Sequence, residues 1–99
     1  MKMTAQEIIL NIIVRLNVSL KKDYSNYYVG ITNDIERRLF GEHNVREDGL
    51  WLSYEAINKE EAQQVEEYFL KQGMQGYTGG GTEDSTFLYC YEITNATTE

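Results

Sequence analysis

The segment Tyr27-Tyr28-Val29-Gly30-Ile31-Thr32-Asn33-Asp34-Ile35-Glu36-Arg37-Arg38-Leu39 constrains this chain more than any other. Its aromatic and β-branched residues from Tyr27 to Ile31 predict a short strand. Thr32-Asn33-Asp34 predicts the end of that strand. Asn33, with Glu36 three residues on, predicts the cap of a helix that runs through Ile35 and Leu39 toward Gly41. A strand, a tight turn and a helix are thus encoded back to back, and the fold must pack the last against the sheet that holds the first.

The other elements follow from similar signals. Thr4-x-x-Glu7 is a capping-box pattern, and Ile8, Ile9, Ile12, Ile13, Leu16 and Leu20 continue it at helical spacing. The β-branched content leaves a strand from about Ile12 onward as the competing reading. Lys21 to Asn26 is a polar turn. A second strand is expected at Leu50–Ile57, where Leu52, Tyr54 and Ala56 alternate with Trp51, Ser53 and Glu55. Asn58 and Glu61 cap a helix from Lys59 to about Gln72, which Gly73 stops. A glycine-rich loop leads to a last strand at Thr86–Ile93, with Phe87, Tyr89, Tyr91 and Ile93 on one side and Cys90, as a buried thiol, on the other. Asn95–Glu99 is expected to fray. The order α-β-α-β-α-β predicts a single α+β domain over residues 1–99, a small three-stranded sheet packed with three helices. Three strands are too few for a doubly wound nucleotide-binding fold, and no nucleotide cofactor is expected.

Composition narrows the partners. With 99 residues, 41% of them hydrophobic, the chain can bury one modest core and lacks the signature of disorder. No apolar run approaches the roughly 20 residues that cross a bilayer, so no membrane is expected. Glu7 interrupts the first apolar stretch, which argues against a signal peptide. One cysteine cannot form an intramolecular disulfide, which suits a cytoplasmic location. The net charge of −7 argues against a passive electrostatic binder of nucleic acid. The charge is uneven, however. Residues 1–46 carry seven Lys or Arg against five acids, and residues 47–99 carry two against eleven. An anion is expected to meet the first half, and the acidic second half is a solvated face or a surface for a protein partner.

Helix geometry singles out two charged residues. On a wheel of about 100° per residue, Ile35 and Leu39 set the inner face of their helix; Arg38 lies beside them and Arg37 points away. An inward arginine needs an anion, a carboxylate partner or room for its stem to snorkel. In the later helix, Ala62, Val65, Phe69 and Leu70 form the apolar stripe, and Glu66 falls within it, whereas Glu67 faces out toward Lys71. Such a glutamate is an ion-pair partner or a ligand for a hard cation. Arg38 and Glu66 pairing with each other is the simplest structural alternative.

Tyr28-Val29-Gly30, followed by a turn and by Arg38 ten positions after the tyrosine, resembles the second half of the GIY-YIG nuclease signature. Ala62, followed four residues on by Glu66, is similar to the family's later helix. The likeness covers Tyr27 to Gly73 and implies a GIY-YIG-like fold with phosphodiester hydrolysis on DNA. It implies that Glu66 holds Mg²⁺ or Mn²⁺, that Arg38 neutralises charge on the phosphoryl oxygens, and that Tyr28 orients or deprotonates the attacking water. The Gly-Ile-Tyr half expected about eleven residues earlier is replaced by Arg15-Leu16-Asn17, leaving Tyr24 or Tyr27 to stand in. Many members carry a histidine four residues after the arginine; this chain has Glu42 there and His43 next, with Gly41 a candidate bulge that returns His43 to the site. These departures imply, as the alternative, a degenerate fold that binds nucleic acid or protein without hydrolysis.

Gly76-Tyr77-Thr78-Gly79-Gly80-Gly81 matches neither phosphate-loop spacing, and a strand follows it, so it reads as a turn or bulge. A similar loop recurs in small stand-alone GIY-YIG-like proteins. Tyr68, Tyr77, Tyr89 and Tyr91 offer stacking surfaces for bases, but without neighbouring basic residues they read as sheet and core aromatics.

Overall fold

The computed structural model describes residues 1–16, 24–77 and 82–99. The end of the first predicted helix at Leu20, part of the polar turn, Asn17 and Gly79–Gly81 lie outside these residues. The described chain forms β1 (Lys2–Met3), α1 (Ala5–Leu16), a 3-10 turn (Tyr24–Asn26), β2 (Tyr27–Thr32), a π-helix (Arg37–Glu42), β3 (Trp51–Ala56), α2 (Lys59–Gln72) and β4 (Phe87–Glu92). The architecture is α+β with a four-stranded mixed sheet, where three strands were expected. The added strand is β1, whose two residues pair parallel with Glu55 and Ala56 of β3. Two residues carry no readable alternation, which is why the sequence does not announce this strand.

The sheet order is β1-β3-β4-β2, so β4, last in sequence, lies between β3 and β2 and pairs antiparallel with both. Strand alternation then sorts the core into two layers. Val29, Ile31, Leu52, Ala56, Leu88 and Cys90 face α1 and α2. Tyr28, Tyr89 and Tyr91 face the other way and pack with Leu39 and Val45. Cys90 is buried as expected, and burial pushes its thiol up to about 12.

The caps explain where the helices begin and end. Thr4 and Glu7 bond reciprocally, Thr4 N–H to Glu7 Oε1 at 2.9 Å and Glu7 N–H to Thr4 Oγ1 at 3.2 Å. Helix α2 is capped by Asn58 Oδ1, which accepts from Glu61 N–H at 2.9 Å. It ends at Gly73, whose φ of 117° suits glycine. Glu61 does not reach back to Asn58. Its carboxylate accepts from Ala5 N–H at 2.7 Å and ties the starts of α1 and α2 together.

Two local expectations are corrected. The cap before the π-helix is Asp34, not Asn33: Asp34 Oδ1 accepts from Arg37 N–H at 3.1 Å, and Asn33 instead accepts from Arg37 Nη2 at 3.2 Å. Residues 95–99 do not fray. Thr98 N–H donates to His43 O at 2.7 Å, and Asn44 Nδ2 donates to Ala96 O at 2.8 Å, so this segment is strapped onto the residues after the π-helix.

Register places Gly30 opposite Tyr89, and the Tyr89 ring lies over the space a side chain would fill. A Cβ at Gly30 would come 2.5 Å from the Tyr89 hydroxyl and 2.6 Å from Cζ. We therefore expect Gly30→Ala to lower stability by about 1–3 kcal/mol, as overpacking does in a close-packed core. Urea unfolding with an unchanged m-value checks this, and a loss below about 0.5 kcal/mol would contradict the contact.

Candidate functional site

The cleft lies along the outer edge of β2, between α2 and the π-helix. It has a volume of about 450 Å³, within the range that holds a small ligand, and Tyr28, Arg38 and Glu66 all line it. An edge strand offers unpaired backbone groups, and here they are used in part. Gln75 bonds the strand from outside, accepting from Val29 N–H at 3.0 Å and donating to Tyr27 O at 2.9 Å. The backbone then passes so close that a Cβ at Gly76 would sit 2.5 Å from Val29 O, at a φ of 149°. Gly76 is thus fixed by sterics, and Tyr77 follows it at the mouth of the cleft.

Arg38 enters from the π-helix. The first bond of this segment is of α type, Arg38 N–H to Asp34 O at 3.1 Å, and the last runs from His43 N–H to Arg38 O at 2.8 Å, five residues apart. The widened turn, with Gly41 in open space, carries His43 inward, in keeping with the bulge expected at Gly41. Arg38 Nη2 donates to the Tyr89 hydroxyl at 3.0 Å, and Nη1 pairs with Glu42 Oε1. Arg37 Nε lies 3.4 Å from the other Glu42 oxygen, so one carboxylate bridges two arginines. Arg38 is therefore not paired with Glu66.

Behind the cleft, His43 is 3% exposed and sits among tyrosines, its ring centroid 4.7 Å from Tyr28 and 5.0 Å from Tyr91. Its Nδ1 is 2.7 Å from Thr98 O, a group that can only accept, so the proton belongs on Nδ1. Nε2 then accepts from the Tyr89 hydroxyl at 2.8 Å, while that hydroxyl accepts from Arg38. Burial holds the His43 pKa below its ordinary value and keeps the ring neutral at pH 7. Burial likewise pushes Tyr89 up to about 12, against the opposing pull of Arg38. Tyr89 is a neutral crossbar that fixes both Arg38 and His43.

Glu66 is the anomaly of the site. It is 3% exposed, and its Oε1 is buried with no hydrogen-bond partner among the described residues. Burial, with a smaller push from Glu67, raises its pKa from 4.5 to about 7. A buried orphan carboxylate oxygen calls for a proton or a cation. No three His, Cys, Asp or Glu gather into a metal-holding group among the described residues. The donor chemistry still fits Mg²⁺, a hard ion that keeps several waters and takes one or two carboxylates plus substrate oxygens.

The remaining candidates fall elsewhere. Tyr27 does not line the cleft; it packs with the α1 and α2 layer. Tyr24 packs on Phe69, with ring centroids 6.2 Å apart. His43 touches Tyr28 but does not line the cleft. Tyr89 is the positioning residue that the sequence reading placed in the core without a role. The clue was Gly30, since a glycine inside a strand marks a close approach. Tyr77, grouped with the core aromatics, is 77% exposed.

Comparison with family models, with curated proteins and with solved structures finds no match to this chain. What the geometry defines is an α+β fold with an anion-facing arginine, a buried protonatable carboxylate and a tyrosine on one cleft.

The raised pKa of Glu66 makes a pH prediction. The unfolded carboxyl loses its proton near 4.5 and the folded one near 7, so the folded state binds the extra proton between them. The stability this contributes is complete below about pH 4.5 and is lost as pH rises through 7. Glu66→Gln, which cannot ionise, should be the more stable protein at pH 8 by on the order of 2 kcal/mol, with the gap closing by pH 4. Thermal midpoints across this range check it, and a gap independent of pH would contradict it.

Proposed function

We propose that this chain is a GIY-YIG-like domain whose cleft binds a DNA phosphodiester and hydrolyses it with the help of one divalent ion. The observation that carries the reading is the Glu66 carboxylate, buried and unpartnered on the same cleft as Arg38 and Tyr28. Glu66 would hold Mg²⁺ or Mn²⁺, which, when bound, polarises the phosphate and stabilises the leaving oxygen.

The chain's own residues divide the rest of the work. Arg38 offers N–H donors to the phosphoryl oxygens once it exchanges Glu42 for substrate, and Tyr89 keeps its guanidinium aimed while it does so. Tyr28, which lines the cleft, would orient the attacking water through its hydroxyl. Burial raises the Tyr28 pKa, and the nearby Arg38 opposes that rise, so the phenol is neutral at pH 7 and orients better than it deprotonates. His43 and Tyr91, packed against Tyr28, fix the plane of its ring. A catalytically silent domain that binds nucleic acid or a protein partner is the second reading. The hold of Glu42 on both arginines favours it, because the anion site is filled by the chain itself.

The test is incubation with branched and linear DNA in Mg²⁺ or Mn²⁺. Cleavage should fall by about 10²-fold or more in Arg38→Ala and vanish in Glu66→Ala, while Tyr27→Phe leaves it unchanged. Cleavage that survives Glu66→Ala would overturn the metal assignment. Absence of cleavage on every substrate, with no rise in thermal midpoint on adding either ion, would establish the silent reading.

A further inference from the structure

Tyr77 is out of place in a chain whose other cleft and sheet tyrosines are buried or half-buried. It is 77% exposed and lines the cleft mouth that also holds Arg37, Arg38 and Glu66. Its position is built: Gln75 is bonded to β2 on both sides, and Gly76 tolerates no side chain against Val29 O. An aromatic face held at the rim of an anion-facing cleft has a simple use, since every base has a π-face that can stack on it.

Charge decides which form of nucleic acid fits. A duplex is gripped through many phosphates, and this chain has a net charge of −7 with Arg37 and Arg38 as the basic residues of the cleft. About 450 Å³ accommodates a nucleotide, not a double helix. Two phosphate contacts and one stacked base are what the surface offers. Glu66, 3% exposed where Tyr77 is 77% exposed, lines the same cleft.

We infer that the cleft takes an unpaired DNA strand, with one base stacked on Tyr77 and the adjoining phosphates on Arg37 and Arg38. This rests on the nuclease-like reading of the site and names its substrate as single-stranded or splayed DNA. Arg37 gives up its contact with Glu42 to do so, and Asn33, which accepts from Arg37 Nη2, keeps the guanidinium at the rim.

The experiment is fluorescence anisotropy with a labelled ten-nucleotide oligo-dT and the matching duplex, in EDTA so that hydrolysis plays no part. The single strand should bind tighter than the duplex, with a log–log salt slope near −1.4, about −0.7 for each of two phosphates. Tyr77→Ala should weaken the single strand roughly tenfold and Tyr77→Phe should not. An abasic strand should make the wild type behave as Tyr77→Ala does. Equal or tighter duplex binding, a slope steeper than about −3, or indifference to Tyr77→Ala would overturn the inference. Cleavage assays separate the two levels. Hydrolysis lost in Glu66→Ala but with KM unmoved in Tyr77→Ala keeps the nuclease and overturns only the stacking site. Oligonucleotide binding that needs Tyr77, with no cleavage, keeps the stacking site and overturns the nuclease.

Discussion

The close approach of Tyr89 to Gly30 governs the site. The ring crosses β2 because Gly30 offers no Cβ, and this lets a fully buried phenol on the interior strand bond both Arg38 and His43. Without that crossing, the π-helix would lose the hydrogen bond that ties Arg38 to the sheet. Among the described residues, Arg38 would then have Glu42, on its own helix, to position it. The aromatic layer of Tyr28, Tyr91 and His43 then closes over the crossbar, and Thr98 locks the histidine tautomer from outside. A backbone constraint in one strand thus sets the direction of a side chain on a neighbouring helix.

Polar order on one side of the cleft contrasts with polar deficit on the other. Arg38, Tyr89, His43 and Thr98 form a chain in which each member bonds to the next. Glu66, on α2, has a buried oxygen that no group among the described residues satisfies, and burial raises its pKa to about 7. Proteins rarely leave such a group unpaired, and where they do, a ligand or a function commonly accounts for it. A charge buried in this way lowers stability above pH 7, a cost that the proposed cation would offset. The raised pKa alone would be an isolated oddity; the shared cleft with Arg38 and Tyr28 gives it meaning.

Much of this was legible in the sequence. Caps at Thr4 and Asn58 and the stop at Gly73 set the helices, since capping is local chemistry. The helical wheel turned Glu66 inward and Arg37 outward for the same reason. What escaped was long-range. The place of β4 between β3 and β2 is a matter of topology, and no local signal states which strand ends up inside. Tyr89 and Tyr77 read alike in sequence, yet one is wholly buried and the other almost wholly exposed, because strand register and the tether at Gln75 decide it. Thr98 pins His43 across more than fifty residues of chain, which a reading of local polarity takes for a frayed segment.

The proposed role of Glu66 is to hold a divalent cation with a carboxylate that is otherwise buried. Its direct measurement is the ¹³C chemical shift of the Glu66 side-chain carboxyl, followed through a pH titration with and without Mg²⁺. Titration near pH 7 is expected in the absence of the ion, and a lower midpoint with a shifted resonance in its presence. A midpoint near 4.5 that Mg²⁺ does not move would contradict it.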